Sequence, residues 1–322
     1  MNATPRVAVV ASTFNRADRV SRLLGALRAQ TVDAHDFEVV IVDDASADDT
    51  PAVLQAEVER GGLNLVVIRR ESGAGPATAR DQGWRAAAAD LIAFTDDDCE
   101  PAPDWLELAL AAAAGAPDAF IQGRTEPNPS DADPLGAFTR TIDVRELDPN
   151  FHTCNIVYPR RLLERIGGFD TVSFDRSPGG EDSDLAWRAI AAGAEPVFAP
   201  EVLVHHAVNE LGPIGKLRVA ARWTTPMKTY AIHPALRKSV FTHGIFWKPD
   251  HFRLTLALLG LALPRLLWPA RLILAVPYLR SARARSLEAN GDATLAPYFL
   301  LHDLIELGAV ARAAVRYRTL ML

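Results

Sequence analysis

Several features are scarce or missing in this sequence of 322 residues. Its two cysteines, Cys99 and Cys154, are too few for a disulfide framework and suit a reducing compartment. No uncharged run reaches the ~20 residues that a membrane-spanning helix needs. The apolar run at residues 7–10 is too short for the core of a secretory signal, so we expect no such leader. Apolar residues at 49% and charged residues at 23% exclude a disordered polymer and a collagen-like fibre.

The charge is unevenly distributed along the chain. Residues 1–210 hold 18 basic and 35 acidic side chains, a net of −17, whereas residues 211–322 hold 16 basic and 5 acidic, a net of +11. The two values sum to the overall −6. An acidic first part and a basic second part predict two different roles, the second at an anionic surface. Mutual neutralisation across an interface is the alternative.

The first 120 residues alternate short β-branched runs with stretches of helical periodicity. The apolar positions of residues 20–27 fall on one helix face, and Pro51 and Pro76 suit the first turns of two further helices. This alternation predicts an α/β fold with a parallel sheet whose ligands bind at the carboxyl ends of its strands. The predicted strands are residues 7–11, 37–42, 65–68, 91–94 and 119–122.

The following segment, residues 127–149, is rich in Pro, Asp and Asn and predicts an irregular, mobile connection. Structure is expected to resume at residues 151–157, before a helix that starts after Pro159 and ends at the glycine pair 167–168. A further helix is predicted at residues 181–192.

Three consecutive carboxylates, Asp96, Asp97 and Asp98, follow the fourth predicted strand. Adjacent carboxylates repel one another unless a cation or solvent relieves them, and Mg²⁺ typically binds one or two carboxylates together with substrate phosphates. In an extended segment Asp96 and Asp98 would point to one side, which makes them the expected ligand pair. A solvated acidic turn that caps a following helix is the alternative. The position after an apolar strand favours a metal–phosphate site.

A second acidic cluster, Asp43 and Asp44, follows the second predicted strand. A carboxylate there is suited to bind a base N–H or a ribose hydroxyl, and we expect Asp44 to face the ligand. Asp49 or Thr50 is expected to cap the next helix. The segment lacks the glycine and the terminal glutamate of an EF-hand.

Glycines precede two of the predicted helices. Gly75 ends a Gly-x-Gly segment that lacks the third glycine of a dinucleotide fingerprint, so we expect a turn that lets the backbone approach a ligand. Another glycine pair precedes Glu181, Asp182 and Asp184, at a helix start where the helix dipole stabilises anions. Capping explains these acids fully; alternatively, one of them is a general base that takes a proton from a hydroxyl.

Taken in order, these segments resemble family 2 glycosyltransferases over roughly residues 6–208. The resemblance rests on Val9-Val10-Ala11-Ser12-Thr13-Phe14-Asn15-Arg16, Asp43-Asp44-x-Ser46, Ala79-Arg80-Asp81-Gln82-Gly83, Asp96-Asp97-Asp98, Gly167-Gly168-Phe169-Asp170, Glu181-Asp182-x-Asp184-Leu185 with Arg188, and His206. Asp81 stands where asparagine is commoner in the family. The ordered set is far more specific than any one of its motifs.

The resemblance implies a GT-A fold, which is Rossmann-like, and an inverting transfer from a UDP-, GDP- or dTDP-linked sugar. It implies Asp182 as the general base with Glu181 beside it. Asp96 and Asp98, with His206 as a third contact, are the implied ligands of Mn²⁺ or Mg²⁺. The implied donor contacts are Thr13, Asn15, Arg16, Asp43, Asp44, Ser46, Gly75, Arg80 and Asp97. The implied acceptor side comprises Gly168, Phe169, Asp184 and Arg188.

The implied catalytic domain covers residues 1–210, with a donor half at about 1–125 and an acceptor half at about 150–210. A basic, leucine-rich and mainly helical extension is predicted for residues 211–322.

Leucine-rich runs of this extension are interrupted by Arg265 and Arg271, each of which would cost about 2.5–3.5 kcal/mol in mid-membrane. Arginine and Trp268 beside leucines favour a helix lying in the membrane interface. The arginines expected near lipid headgroups are Arg280, Arg283 and Arg285. Packing of the leucines on the catalytic domain or in a homodimer is the alternative.

These observations predict a metal-dependent glycosyltransferase at the inner face of the cytoplasmic membrane, acting on a lipid-linked or cell-envelope glycan acceptor. A sugar nucleotidyltransferase also uses an acidic metal site, but residues 12–19 lack the glycine of a triphosphate loop. A non-catalytic, nucleotide-binding scaffold docked on the membrane is the non-enzyme alternative. The aromatic residues of the basic part sit among leucines, so no nucleic-acid partner is expected.

Overall fold

A computed structural model describes residues 4–131, 136–176 and 179–322, apart from the side chain of Asn290. The chain divides into two compact units. The first comprises residues 1–133 and 141–208, and the second comprises residues 134–140 and 209–322. The functional boundary near residue 210 stays a prediction.

The first unit is an α/β domain. Its strands are β1 (Val7–Thr13), β2 (Phe37–Asp43), β3 (Leu65–Arg69), β4 (Leu91–Thr95), β5 (Cys99–Pro101), β6 (Phe120–Pro127), β8 (Asn155–Pro159) and β9 (Pro196–His206). Its helices are α1 (Ala17–Arg28), α2 (Thr50–Arg60), α3 (Pro76–Ala86), α4 (Trp105–Gly115), α5 (Arg160–Ile166) and α6 (Glu181–Ala191).

These eight strands form one sheet in the order β3-β2-β1-β4-β8-β6-β9-β5. The pairs β3–β2, β2–β1, β1–β4 and β6–β9 are parallel, whereas β8 runs antiparallel to both of its neighbours and β5 runs antiparallel to β9. All seven residues of β2 are buried, as expected for a strand covered by helices on both faces. The predicted mostly parallel, helix-flanked sheet is confirmed.

Local patterning predicted several elements well. The apolar stripe of α1 is fully buried, and α2 and α3 carry their prolines in the first turn. The five predicted strands correspond to β1–β4 and β6. The short β5 and the long β9 were not predicted; β9 shifts register against β6 next to Gly123, where a Cβ would lie 2.4 Å from the Val202 carbonyl oxygen.

The predicted irregular connection at residues 127–149 holds little regular structure where it is described. It contains the two-residue strand β7 (Thr139–Arg140), while residues 132–135 lie outside the described part. The predicted helix after Pro159 is α5, and it ends at Gly167, which adopts a left-handed conformation with φ 81°.

The expected cap of α2 is confirmed in position but not in its hydrogen bond. Asp49 occupies the N-cap position of α2, but its side chain makes no capping hydrogen bond. Instead, the neighbouring Asp48 accepts the Thr50 backbone N–H at 3.0 Å, because its carboxylate reaches forward to the backbone two residues on.

The second unit is mainly helical. It contains β7 and β10 (Asn209–Glu210), then α7 (Gly212–Ala221), α8 (Met227–Ile232), α9 (Pro234–Val240), α10 (Pro249–Ala262), a 3₁₀ turn (Arg265–Leu267), α11 (Trp268–Asn290) and α12 (Ala296–Arg316). Leu254 and Ala257 of α10 pack with Tyr278 and Ala282 of α11 in a small apolar core. Within the described residues, no helix has both the length and the apolar character that crossing a bilayer requires.

Candidate active site

The carboxylates at positions 96–98 lie in a turn between β4 and β5. The Cys99 N–H donates to the Asp96 carbonyl oxygen at 3.2 Å, so the segment is not extended and the alternation argument for Asp96 and Asp98 does not hold. The capping alternative is also wrong, because a strand and not a helix follows. Asp97 is buried, with 7% of the residue exposed. A buried carboxylate cluster of this kind needs a compensating cation.

Arg16 supplies positive charge at this turn. Its Nη1 lies 3.3 Å from Asp97 Oδ1 and 2.5 Å from Asp98 Oδ2. Burial alone would lower the pKa of Arg16, but the two carboxylates outweigh burial and raise it. Burial, opposed by Arg16 and reinforced by Asp98, raises the pKa of Asp97 to about 7. The predicted donor contacts Arg16 and Asp97 therefore form one charged group.

Asp98 and His206 form the pair of donors best suited to a metal. The Asp98 Oδ1 lies 3.4 Å from His206 Nε2, and β5 pairs with β9 so that Cys99 lies opposite His206. His206 Nδ1 donates to the Ala207 carbonyl oxygen at 2.9 Å, so Nε2 is the ring nitrogen that faces Asp98. A carboxylate oxygen and an imidazole nitrogen suit Mn²⁺ or Mg²⁺ that takes its remaining ligands from phosphate and water.

Cys99 lies beside this pair, and a donor atom from each of Asp98, Cys99 and His206 falls within 4.8 Å of the other two. Burial raises the pKa of the Cys99 thiol well above its usual range. A neutral, buried thiol is a poor ligand for a hard cation. Cys99 therefore packs in the core, as does Cys154.

Arg80 of α3 joins the acidic turn to the start of α6. Its Nη2 lies 2.5 Å from Asp96 Oδ1 and its Nη1 lies 3.0 Å from Glu181 Oε1. The side chain is 8% exposed, so the ion pairs are little screened by solvent. Burial and the Asp182 charge raise the pKa of Glu181 to about 7, against the effect of Arg80. Asp96 thus contacts an arginine and is separate from the Asp98–His206 pair.

Asp182 lies at the first turn of α6 beside a histidine that no sequence motif indicated. His152 Nδ1 lies 3.4 Å from Asp182 Oδ2, and His152 Nε2 lies 3.5 Å from Asp148 Oδ2. Burial would raise the pKa of Asp182, but His152 and the Ser183 N–H outweigh burial and lower it. Burial also acts to lower the pKa of His152, but the carboxylates of Asp182 and Asp148 outweigh burial and raise that pKa. Asp182 is therefore ionised at neutral pH, as a general base must be.

Asp43 offers an acceptor at the end of β2. It is fully buried, and its Oδ1 accepts the Ser46 N–H at 2.9 Å. Its Oδ2 has no hydrogen-bond partner within the described part of the chain, and Arg69 Nε is 3.9 Å away. A buried, unused carboxylate oxygen is costly unless a ligand N–H or hydroxyl binds it.

Both carboxylate oxygens of Asp44, in contrast, already have partners within the protein. It accepts the Ala74 and Gly75 N–H groups at 3.0 and 2.8 Å and pairs with Arg70 Nε at 2.9 Å. The expectation that Asp44 faces the ligand is therefore not met by its hydrogen bonds. Gly75 was expected to let the backbone approach a ligand, but it allows a close approach to another backbone segment. A Cβ at Gly75 would lie 3.0 Å from the Arg176 Cα.

The remaining predicted donor residues connect the loops that follow β1 and β2. Asn15, with φ 53°, accepts the Ala47 N–H at 2.8 Å, and its own N–H donates to Ser46 Oγ at 2.9 Å. Thr13 lies opposite Asp43 in the register of the two strands, and its carbonyl oxygen accepts the Asp44 N–H. These contacts fix the position of Asp43.

The four predicted acceptor-side residues make packing contacts and hydrogen bonds within the protein. Phe169 is buried against Phe94 with ring centroids 5.4 Å apart, and Arg188 pairs with Asp184 at 2.8 Å. Arg188 also donates to the Gly168 carbonyl oxygen at 2.7 Å. Because these side chains are engaged in packing and in holding the glycine turn, the structure does not present them as a surface for an acceptor.

Comparison with known proteins decides the family. The family model described as glycosyl transferase family 2 matches residues 8–169, half of the chain. The chain belongs to glycosyl transferase family 2. Validoxylamine A glucosyltransferase from Streptomyces hygroscopicus subsp. jinggangensis (strain 5008) is 32% identical over 223 residues, covering 59% of this chain and 52% of that protein. The chain therefore spans about half the length of this relative.

Two solved structures share the fold of this family 2 member. A mannosyltransferase, PcManGT from Pyrobaculum calidifontis in complex with GDP-Man and Mn²⁺, superposes with a TM-score of 0.62 at 25% identity, covering 98% of this chain and 88% of that one. S. aureus TarS 1–349 in complex with UDP-GlcNAc gives a TM-score of 0.53 at 16% identity, covering 98% and 92%. The predicted GT-A fold is thereby confirmed.

Proposed function

We propose that this family 2 member transfers a sugar from a nucleoside diphosphate sugar to an acceptor hydroxyl with inversion at the anomeric carbon. The observation that carries the proposal is the Arg80 bridge, which places the acidic turn and the start of α6 on one guanidinium. The mannosyltransferase complex with GDP-Man and Mn²⁺ supports a nucleotide-sugar donor and a divalent metal.

The donor side of the proposed site comprises Asp43, Arg16 and the metal ligands. Asp98 and His206 would hold Mn²⁺ or Mg²⁺, which neutralises charge on the leaving diphosphate when bound. Asp43 Oδ2 would accept a hydrogen bond from the nucleoside. Arg16 and Arg80 supply fixed positive charge near the same carboxylates.

The acceptor side of the proposed site is built on Asp182. Its carboxylate takes the proton of the acceptor hydroxyl while that oxygen attacks the anomeric carbon. The new glycosidic bond forms as the bond to the diphosphate breaks, so one displacement inverts the centre and nucleoside diphosphate leaves. A positioned base of this kind contributes about 10²–10⁴-fold in rate. Glu181 orients the site through Arg80.

We also propose where the acceptor is met. The +11 charge of residues 211–322 supports a lipid-linked or cell-envelope glycan at the inner face of the cytoplasmic membrane. On this proposal the division near residue 210 separates a catalytic part from a part that docks on the membrane.

The test is donor turnover with a panel of UDP-, GDP- and dTDP-linked sugars, with Mn²⁺, Mg²⁺ or EDTA. Asp182→Asn is expected to lower acceptor transfer by about 10²–10⁴-fold, and Asp98→Asn to remove the metal stimulation. Asp49→Asn, at an exposed acid without a capping bond, is the matched control and should behave as wild type. Wild-type rates in both site variants would refute the assignment. Release of pyrophosphate instead of nucleoside diphosphate would identify a nucleotidyltransferase.

A further inference from the structure

Helices α10 and α11 of the second unit form a tight hairpin. The turn between them is short and contains the 3₁₀ segment Arg265–Leu267. A Cβ on Gly260 would lie 3.0 Å from Leu274 Cβ and 3.3 Å from the Arg271 carbonyl oxygen, so the glycine allows the two helices to approach closely near the turn. We call residues 258–273 the hairpin tip.

The hairpin tip exposes large apolar side chains. Leu266 is 88% exposed, Ile273 72%, and Leu261 and Trp268 63% each. Single exposed leucines are ordinary on a protein surface, but a cluster of this kind marks a surface that contacts something apolar.

The hairpin carries mostly positive charge, and its two acids, Asp250 and Glu288, lie at the ends of α10 and α11 that are remote from the turn. Residues 251–287 contain six arginines and no aspartate or glutamate. Arg253 and Arg285 are used inside the unit, where they pair with Asp250 and Asp303. This corrects the expectation that Arg285 faces lipid headgroups. The other four arginines form no ion pair with any carboxylate that the structure describes, and they are Arg265, Arg271, Arg280 and Arg283.

We propose that the hairpin tip docks this chain on an anionic phospholipid bilayer. The leucines, Ile273 and Trp268 enter the boundary between headgroups and acyl chains. Arg265 and Arg271 of the tip bind lipid phosphates, together with Arg280 and Arg283 further along α11. Docking through the tip differs from the in-plane helix that the sequence predicted. The docking proposal rests on the proposed function in one respect, namely that a membrane carries the acceptor.

Charge also decides against a second copy of the chain as the occupant. A two-fold contact would place the same surface on both sides. Because the tip has arginines and no acids, such a contact would bring guanidinium groups together without a counter-charge, whereas an anionic bilayer supplies phosphates. Apolar burial and charge complementarity therefore point to the same partner.

The experiment is flotation of the full chain with vesicles of phosphatidylcholine alone or mixed in equal parts with phosphatidylglycerol, without nucleotide sugar. We expect binding to the mixed vesicles that weakens as salt is added. Arg265→Gln and Arg271→Gln should each weaken partitioning by roughly fivefold. Leu266→Ser with Trp268→Ser should weaken it by at least about tenfold, because the buried apolar area is lost.

Matched controls lie elsewhere in the same unit. Val315→Ser removes an apolar side chain that is 81% exposed on α12, and Lys238→Gln removes an exposed cation on α9. Both should bind as wild type does. Equal binding by the tip variants, or a wild-type dimer that the tip variants dissociate in light scattering, would overturn the proposal.

Donor hydrolysis in vesicle-free buffer separates this proposal from the proposed function. The tip variants should hydrolyse donor at the wild-type rate, since the tip is not part of the candidate active site. If wild type binds mixed vesicles but neither hydrolyses nor transfers any donor, the proposed function fails and the docking surface stands. If donor is hydrolysed but no vesicle binding occurs, only the docking proposal fails.

Discussion

At the residue scale, the most informative side chain is one that no motif indicated. His152 lies between Asp148 and Asp182, with one ring nitrogen facing each carboxylate. Asp148 is itself held by Gln122, whose Oε1 accepts the Asp148 N–H at 2.8 Å. The candidate base is therefore oriented by a supported imidazole, and His152 acts as a positioning residue.

We predict that His152→Ala lowers turnover by about 10–100-fold, because the base loses its orientation. The imidazole also depresses the pKa of Asp182, so its removal should move the acid limb of the pH–rate profile to higher pH. His152→Gln, which keeps a donor, should retain more activity. A His35→Ala variant, at an exposed position, is the control. An unchanged rate and pH profile in His152→Ala, beside an inactive Asp182→Asn, would exclude the positioning role.

The turn at Gly168 gives a second prediction. Gly168 has φ 74°, and a Cβ there would lie 2.3 Å from Asp81 Oδ1 and 2.8 Å from Trp84 Cζ2. Gly168→Ala should therefore destabilise the protein by at least about 2 kcal/mol in urea unfolding, through backbone strain and overpacking. Gly25→Ala in α1, where nothing lies within 4 Å, should be neutral or stabilising by up to about 1 kcal/mol. Equal stability of the two variants would contradict the prediction that the turn at Gly168 has no room for a Cβ.

At the scale of the element, prediction from sequence succeeded where the signal is local. The buried stripe of α1 and the mostly apolar β2, in which Glu38 and Asp43 are the polar residues, follow from periodicity and burial within one segment. It failed at β5 and β9, because their pairing joins residues about a hundred positions apart and β9 interrupts its register beside β6. The same limit explains His152, whose position depends on a tertiary contact.

Predictions for the candidate site also succeeded for some residues and failed for others. The resemblance to the family grouped Asp96, Asp98 and His206, and the structure brings Asp98 and His206 within 3.4 Å of each other. The inference from alternation at Asp96 and Asp98 failed because the chain turns there. The sequence predicted that Asp44 contacts the ligand, but the loop that contains Ala74 and Gly75 already provides its hydrogen-bond partners.

Helices α10, α11 and α12 are joined by an ion-pair network, which gives a pH prediction. Asp303 is almost fully buried, accepts the Tyr278 hydroxyl at 2.9 Å and pairs with Arg285 at 2.5 Å. Burial opposes ionisation, but His302, Arg285 and Tyr278 outweigh it and hold the pKa of Asp303 well below its usual range. Because the pKa in the folded state is depressed, the ionised carboxylate stabilises this unit above the unfolded pKa of about 4, and the effect is lost as the pH falls below it.

Asp303→Asn should cost the helical unit about 3 kcal/mol near neutral pH, since it leaves a partly buried guanidinium without its main partner. Glu288→Gln, at an exposed acid of α11, is the control. In urea unfolding followed by circular dichroism, the difference between Asp303→Asn and wild type should narrow as the pH is lowered from about 5 to about 3. A constant difference over that range would contradict the prediction.

At the scale of the whole molecule, the division of charge corresponds to two kinds of structure. The acidic residues include those of the candidate active site in the α/β unit, and the basic residues include the arginines of the hairpin tip. Each unit has an apolar core of its own.

We therefore predict two unfolding transitions in scanning calorimetry. Gly168→Ala should lower the midpoint of one transition, and Asp303→Asn should lower the midpoint of the other, because the two residues belong to different units. A single transition that both variants shift equally would show that the chain unfolds as one cooperative body.

The Arg80 bridge has a consequence for engineering within the family. The proposed donor and acceptor sides of the site lie in separate segments of the chain, which makes either side an attractive target for exchange between relatives. In this protein the two segments share one buried cation, so they are not freely interchangeable parts. A chimera that receives residues 150–210 from another family member will keep its acidic turn in place only if the incoming segment provides a carboxylate where Glu181 now stands.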